Sequence, residues 1–203
     1  MNIFLQGLTM GLAYVAPIGM QNLFVINSAL TNKRKRALLT ALIVIFFDIT
    51  LSLACFFGIG TIMQRFKWLQ MVILCVGSLI VIYIGVGLLR AKTQDLEKDQ
   101  PTMSIKKTIS SACVVTWFNP QAIIDGTMML GAFHVTLAAG QETPFITGVA
   151  CASFSWFIGL TFLISLISSK FNAKVMRWIN IVCGVIIIGY GIKLFVSFVQ
   201  MLL

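Results

Sequence analysis

Two aspartates, Asp48 and Asp125, lie in long apolar stretches that otherwise carry no charge, Ala37 to Met63 and Thr108 to about Phe133. Asp48 is eleven residues into its stretch, or about 16 Å at ~1.5 Å per residue, close to the midplane of a bilayer. An ionised aspartate at that depth costs at least ~2.5–3.5 kcal/mol, so it must face a cavity or a partner. No Lys or Arg sits at matching depth in another stretch to neutralise either acid. Substrate cations and protons remain as their counterparts; the structural alternative is a carboxyl hydrogen-bonded to a neighbouring helix.

Each half of the chain also holds a proline inside an apolar run. Pro17 opens "PIGMQN" and Pro120 opens "PQAIID", 103 positions apart in 203 residues. Proline deletes a backbone donor and clashes with the preceding turn, so each should break its helix. Within hydrocarbon the freed carbonyls are tolerated only where protein or a water-filled cavity satisfies them. Paired broken segments in matching positions are a pointer to a transport site. An amino-acid carboxylate suits the positive end of a broken helix, and a cationic side chain needs a carboxylate. The expected substrate-binding residues are therefore Pro17, Gly19, Gln21 and Asn22 at the first break, and Asn119, Pro120, Gln121 and Asp125 at the second. Asp48 is the expected proton-coupling residue. Asn27 and Ser28 are expected to pack or cap, while Trp117 and Phe118 are candidates to wall the pocket or simply to pack.

These residues need spans to hold them. Hydrophobic residues make up 59% of the chain against 10% charged, and the mean hydropathy is +0.97, too apolar for a soluble globule. Six runs exceed the ~20 residues that cross a bilayer: 3–30, 37–63, 68–89, 108–133, 145–169 and 178–203. The fold class expected is an all-α membrane protein of six helices, a single transport domain over 1–203. The first run lacks a basic leader and is too long for a removable signal peptide, so it is expected to stay.

The net charge of +9 signals topology rather than nucleic-acid binding. Twelve of the fifteen Lys and Arg residues fall in the first, third and fifth loops; only Arg65, Lys67 and Lys193 do not. The positive-inside rule makes the rich side cytoplasmic and puts both termini outside.

Shifting the chain on itself by 103 or 104 residues overlays the prolines, "IGVGLL" from Ile84 on "IGYGIK" from Ile188, and span 2 on span 5. Three spans per half reverse the direction of insertion. The halves, about 1–92 and 106–203 with a cytoplasmic connector at 93–105, should be inverted repeats. Asn22 and Asp125, each five residues past its proline, should then hold pseudo-symmetric places. The Gly85-x-Gly87 and Gly189-x-Gly191 pairs favour close helix packing and admit a homodimer.

One histidine and five scattered cysteines, with no CxxC, provide neither a metal cluster nor a disulfide framework. No GxxxxGK[ST] motif appears, which disfavours direct ATP drive, and no cofactor or enzyme chemistry is expected.

"GLAYVAPIGMQNLFVINSAL" and "TWFNPQAIIDGTMMLGAF" resemble the first- and fourth-span motifs of the LysE/ArgO family of basic amino acid exporters. The resemblance runs the length of the chain. It implies export of arginine or lysine across a bacterial cytoplasmic membrane, with Asp48 matching an acidic position of the wider superfamily and Asp125 one typical of the basic-substrate branch. Proton antiport would supply the drive. An exporter of neutral amino acids such as threonine or homoserine is the alternative. That family often has a second proline where this chain has Met20, implying a milder first break.

Overall fold

A computed structural model describes residues 2–17, 19–58, 66–90, 103–134, 136–168 and 173–202. Among them every regular element is helical. In chain order these are α1 (Ile3–Val15), α2 (Met20–Thr31), α3 (Arg34–Phe56), α4 (Lys67–Arg90), α5 (Ile105–Trp117) and α6 (Pro120–Gly126). A π-helical turn (Thr127–Gly131), α7 (Ala132–His134), α8 (Glu142–Ser168) and α9 (Ala173–Leu202) follow.

The helix leaves its path between Val15 and Met20, where α1 and α2 meet at 77°. Gly19 is extended (φ −117°, ψ −168°) and precedes α2 directly. The bend is not mild, although Met20 stands where a second proline was expected to be needed for a sharp one. The fourth apolar run is interrupted differently. Pro120 is the first residue of α6, where its missing N–H would have had no helical partner anyway. Asn22 is thus the third residue of α2, whereas Asp125 is the sixth of α6, so the two sit at different heights above their helix starts.

Three helical stretches among the described residues are long and apolar enough to cross a membrane: Arg34–Phe56, Glu142–Leu166 and Gly184–Met201. The bent pair of α1 and α2 makes a fourth if it counts as one span. The other two expected crossings fall short of that test. α4 contributes only Leu74–Gly87, and the fourth run is cut into the 13 residues of α5 and the 7 of α6. The surface nevertheless treats hydrocarbon as its solvent. Phe46, Tyr83, Phe162 and Trp178 point outward from α3, α4, α8 and α9, and Phe46 is 62% exposed. This is a multi-pass membrane protein.

At the centre of the bundle, α3 buries Ala37, Ala41, Val44, Asp48, Leu51 and Cys55, spaced three and four apart along one stripe. It packs there on α2, α5, α6 and α8. α1 lies against α8 so closely that a β-carbon on Gly7 would strike the Phe145 carbonyl, and one on Gly148 the Phe4 carbonyl. α4 and α9 pair through Gly85, Gly184 and Gly191; at Gly191 an added β-carbon would stand 2.6 Å from Ile82 Cγ1. One glycine of each Gly-x-Gly pair is therefore used within the chain. Gly87 and Gly189 meet nothing within 4 Å, and a homodimer would have only those two to draw on.

Basic side chains tie the helix ends together near the described parts of the basic loops. Arg36 Nη2 donates to the Met103 carbonyl (2.7 Å) and to Thr108 Oγ1 (2.6 Å), tying the start of α3 to the start of α5. Arg34 lies 5.1 Å from the Phe162 ring near the end of α8, and Arg177 Nη1 donates to the Leu89 carbonyl. Arg65, Lys92, Lys98 and Lys170 lie outside the described residues, as does most of the connector.

Candidate functional site

A proline break strands carbonyls, and Asn22 answers for two of them. Its Nδ2 donates to the Val15 carbonyl at 3.0 Å and to the Pro17 carbonyl at 2.8 Å. Its Oδ1 accepts from Trp156 Nε1 of α8 at 2.8 Å. All the polar atoms of this buried amide are engaged in holding the bend against α8. The side chain expected to meet substrate is the one that makes the break tolerable in hydrocarbon.

One residue earlier, Gln21 points the other way. Its Nε2 donates to Asp48 Oδ1 at 3.2 Å and to Thr116 Oγ1 at 3.0 Å. Ser153 Oγ donates to the second oxygen, Asp48 Oδ2, at 2.6 Å. The short contact is typical of a hydroxyl on a carboxylate. Asp48, on α3, is fully buried, and its hydrogen-bond donors among the described residues are both neutral, Gln21 from α2 and Ser153 from α8, with Thr116 of α5 behind Gln21. Ser153 and Trp156, three residues apart, share one face of α8, so a single face holds both the knot at Asp48 and the brace at Asn22.

Sequence reasoning missed Thr116 and Ser153. A signal for Ser153 was present: the repeat shift of 103–104 carries Asp48 to within two residues of it in span 5. For Thr116 there was none beyond its place beside the Trp117-Phe118-Asn119 run.

Asp125 stands apart from this knot. It is half-buried on α6, and Gln121 Nε2, one turn earlier on the same helix, donates to its Oδ1 at 2.7 Å. Tyr14 joins the two regions. Its hydroxyl donates to the Ala122 carbonyl of α6 at 3.4 Å, and it lies within electrostatic reach of both Asp48 and Asp125. Gly126 lets this happen: a β-carbon there would stand 2.9 Å from Cys55 Sγ and 3.3 Å from the Tyr14 ring. Asn119 is buried and precedes α6, but its side chain does not cap that helix. Pro17 is exposed at the bend and Gly19 half-buried; the side chain of Pro120 is outside the described residues.

The structure therefore joins Gln21 to Asp48 and Gln121 to Asp125, as two separate pairs. Among the described residues, no three His, Cys, Asp or Glu side chains gather to hold a metal ion.

A cavity of about 470 Å³ opens among α2, α3, α4 and α5 near the basic end. None of the expected site residues lines it. Met20 and Val115 do, and each is the chain neighbour of a residue that holds Asp48 or its partner, Gln21 and Thr116. Asn27 and Ser28, expected to pack or cap, also face this cavity.

Comparison with known proteins adds a lineage to this geometry. The family described as LysE type translocator matches residues 12–197. The arginine exporter protein ArgO of Klebsiella pneumoniae (strain 342) is 32% identical over 188 residues, covering 90% of this chain and 88% of that protein. The protein of the same name from Salmonella schwarzengrund (strain CVM19633) matches at the same identity and coverage. No solved structure matches.

Proposed function

Because the chain belongs to the LysE family of translocators, and so is a transporter rather than an enzyme, we propose that it exports a basic L-amino acid, arginine or lysine, across a bacterial cytoplasmic membrane. The observation that carries this reading is the likeness, along nine-tenths of the chain, to proteins named as arginine exporters. Two acids whose hydrogen-bond partners among the described residues are all neutral fit a cationic cargo. The substrate's side-chain cation pairs with Asp125 at the second break, where Gln121 steadies the carboxylate and Asn119 and Pro120 start the helix. Its α-carboxylate meets the start of α2 after Gly19, which has no side chain to cap the first N–H groups. Asp48 exchanges a proton, so that one inward proton offsets one outward cation.

Counterflow with purified protein in liposomes tests the substrate class. Vesicles loaded with unlabelled arginine should accumulate labelled arginine or lysine well above vesicles loaded with threonine. Equal or better exchange of threonine or homoserine would hand the reading to a neutral amino acid exporter.

The pairing of helices supports a six-span inverted repeat. Exchanging the first span with the fourth and the second with the fifth turns the α1–α8 contact into contact of α5 and α6 with α3. The α4–α9 and α3–α8 contacts are their own images. In this arrangement the basic end faces the cytoplasm and both termini lie outside. In a background without native cysteines, a membrane-impermeant thiol reagent applied outside should label a cysteine placed at Gln141 and spare one at Lys35. The opposite pattern would invert the topology.

A further inference from the structure

The cavity at the basic end is chemically unlike either acid-bearing region. Among the described residues, Arg36 and Lys107 are its charged lining residues, and none that lines it is acidic. Arg36 spends Nη2 on the Met103 carbonyl and Thr108 Oγ1, which fixes the guanidinium in place. A guanidinium has five N–H donors, so its remaining ones can take an anion with little further loss of freedom. Deeper in, Asn27 Oδ1 is buried with no hydrogen-bond partner among the described residues. Asn27 lies one turn, about 6 Å, further in than Thr31 on α2. A buried acceptor left empty in this way calls for a donor.

The geometry points to a docking vestibule for the amino acid, distinct from the residues at the two breaks: its carboxylate sits at Arg36 and Lys107, and its N–H donors reach inward to Asn27. This rests on the exporter reading and extends it, since neither acid is used. Two cations there hold the carboxylate and repel the guanidinium or ammonium, so the docked substrate lies with its cationic group turned away from them and inward. The inner wall, at Met20 and Val115, adjoins Gln21, which donates to Asp48, and Thr116, which accepts from Gln21. A phospholipid phosphate would satisfy the same two cations, but a lipid there would stand in front of the Asp48 knot. That position favours the cargo.

Arginine uptake into inside-out membrane vesicles, whose cytoplasmic face meets the bath, tests the vestibule. Lys107 is exposed and Asn27 Oδ1 has no partner to abandon, so Lys107→Gln and Asn27→Leu should fold normally. Each should raise the half-saturating arginine concentration by about tenfold, the value of one charge-assisted hydrogen bond, with the maximal rate little changed. Agmatine, which is arginine without its carboxylate, should compete poorly against the wild type and lose that disadvantage in Lys107→Gln. Unchanged half-saturation in both variants, or agmatine competing as well as arginine in the wild type, overturns the vestibule. So does an effect of Lys107→Gln that follows the anionic lipid content of the vesicles rather than arginine concentration. Wild-type vesicles that move no arginine would instead overturn the exporter reading itself.

Discussion

Asp125→Asn should reduce arginine and lysine flux at low substrate concentration by at least about tenfold while the protein still folds and inserts. Hydrogen bonds to charged groups contribute ~1.5–3 kcal/mol, and every 1.4 kcal/mol is a factor of ten in affinity. The fold should survive because the carboxylate's hydrogen-bond partner, Gln121 Nε2, is on the same helix and finds an amide oxygen equally acceptable. Among the described residues Asp125 pairs with neutral Gln121 and no cation, so no opposite charge is orphaned by the change. Asp125→Glu, which keeps the charge on a longer arm, should recover part of the flux. Reconstituted protein, checked for insertion by gel filtration and assayed with labelled arginine, provides the measurement. Wild-type flux in Asp125→Asn would leave Asp125 as a helix-surface residue and move the cation site elsewhere, with Asp48 the next candidate.

The resemblance and the apolar runs were readable because they are local. Hydropathy marks the core of α3, α8 and α9 without knowledge of any neighbour, and proline interrupts a helix when it falls in its interior. The family motifs are equally local, which is why the chain's lineage was legible from two short segments. What the runs did not reveal is how each proline is used. Pro120 is absorbed at the head of α6, whereas the chain after α1 bends between Val15 and Met20 and is braced there by Asn22. Asn22 had a readable signal, since a break leaves carbonyls that need a donor and an amide five residues on is within reach.

The environment of Asp48 was not legible for a different reason. Its ligands, Gln21 and Ser153, and Thr116 behind them, come from helices that only tertiary packing brings together. Arg36 read as one more positive-inside charge, yet it ties α3 to α5 and faces a cavity. Tyr14 carried no signal at all. It matters because Gly126, 112 residues away, leaves room for its ring.

Asp48→Asn should uncouple transport from the proton gradient and spare substrate exchange. Moving a monovalent cation outward against an inside-negative potential costs about 2.3 kcal/mol per 100 mV. An inward proton exchanged for it cancels that electrical cost and leaves the pH difference as the drive. The knot at Asp48 is suited to such a cycle because its partners tolerate either state. Ser153 is a hydroxyl that can donate to a carboxylate or accept from a carboxylic acid, and Gln21 Nε2 can stay on Oδ1 throughout. Asparagine fits the same knot, its oxygen toward Gln21 and its NH₂ toward Ser153, and so imitates the protonated acid permanently. The variant should therefore keep its packing and still cycle with substrate bound. In liposomes, an imposed proton gradient should accelerate arginine flux through the wild type and leave Asp48→Asn unmoved, while arginine–arginine exchange stays within about twofold of wild type, less than the ~1.4 kcal/mol of one decade. If Asp48→Asn still responds to the gradient, the proton travels by another group. If exchange collapses together with the response, Asp48 serves the substrate or the fold rather than the proton.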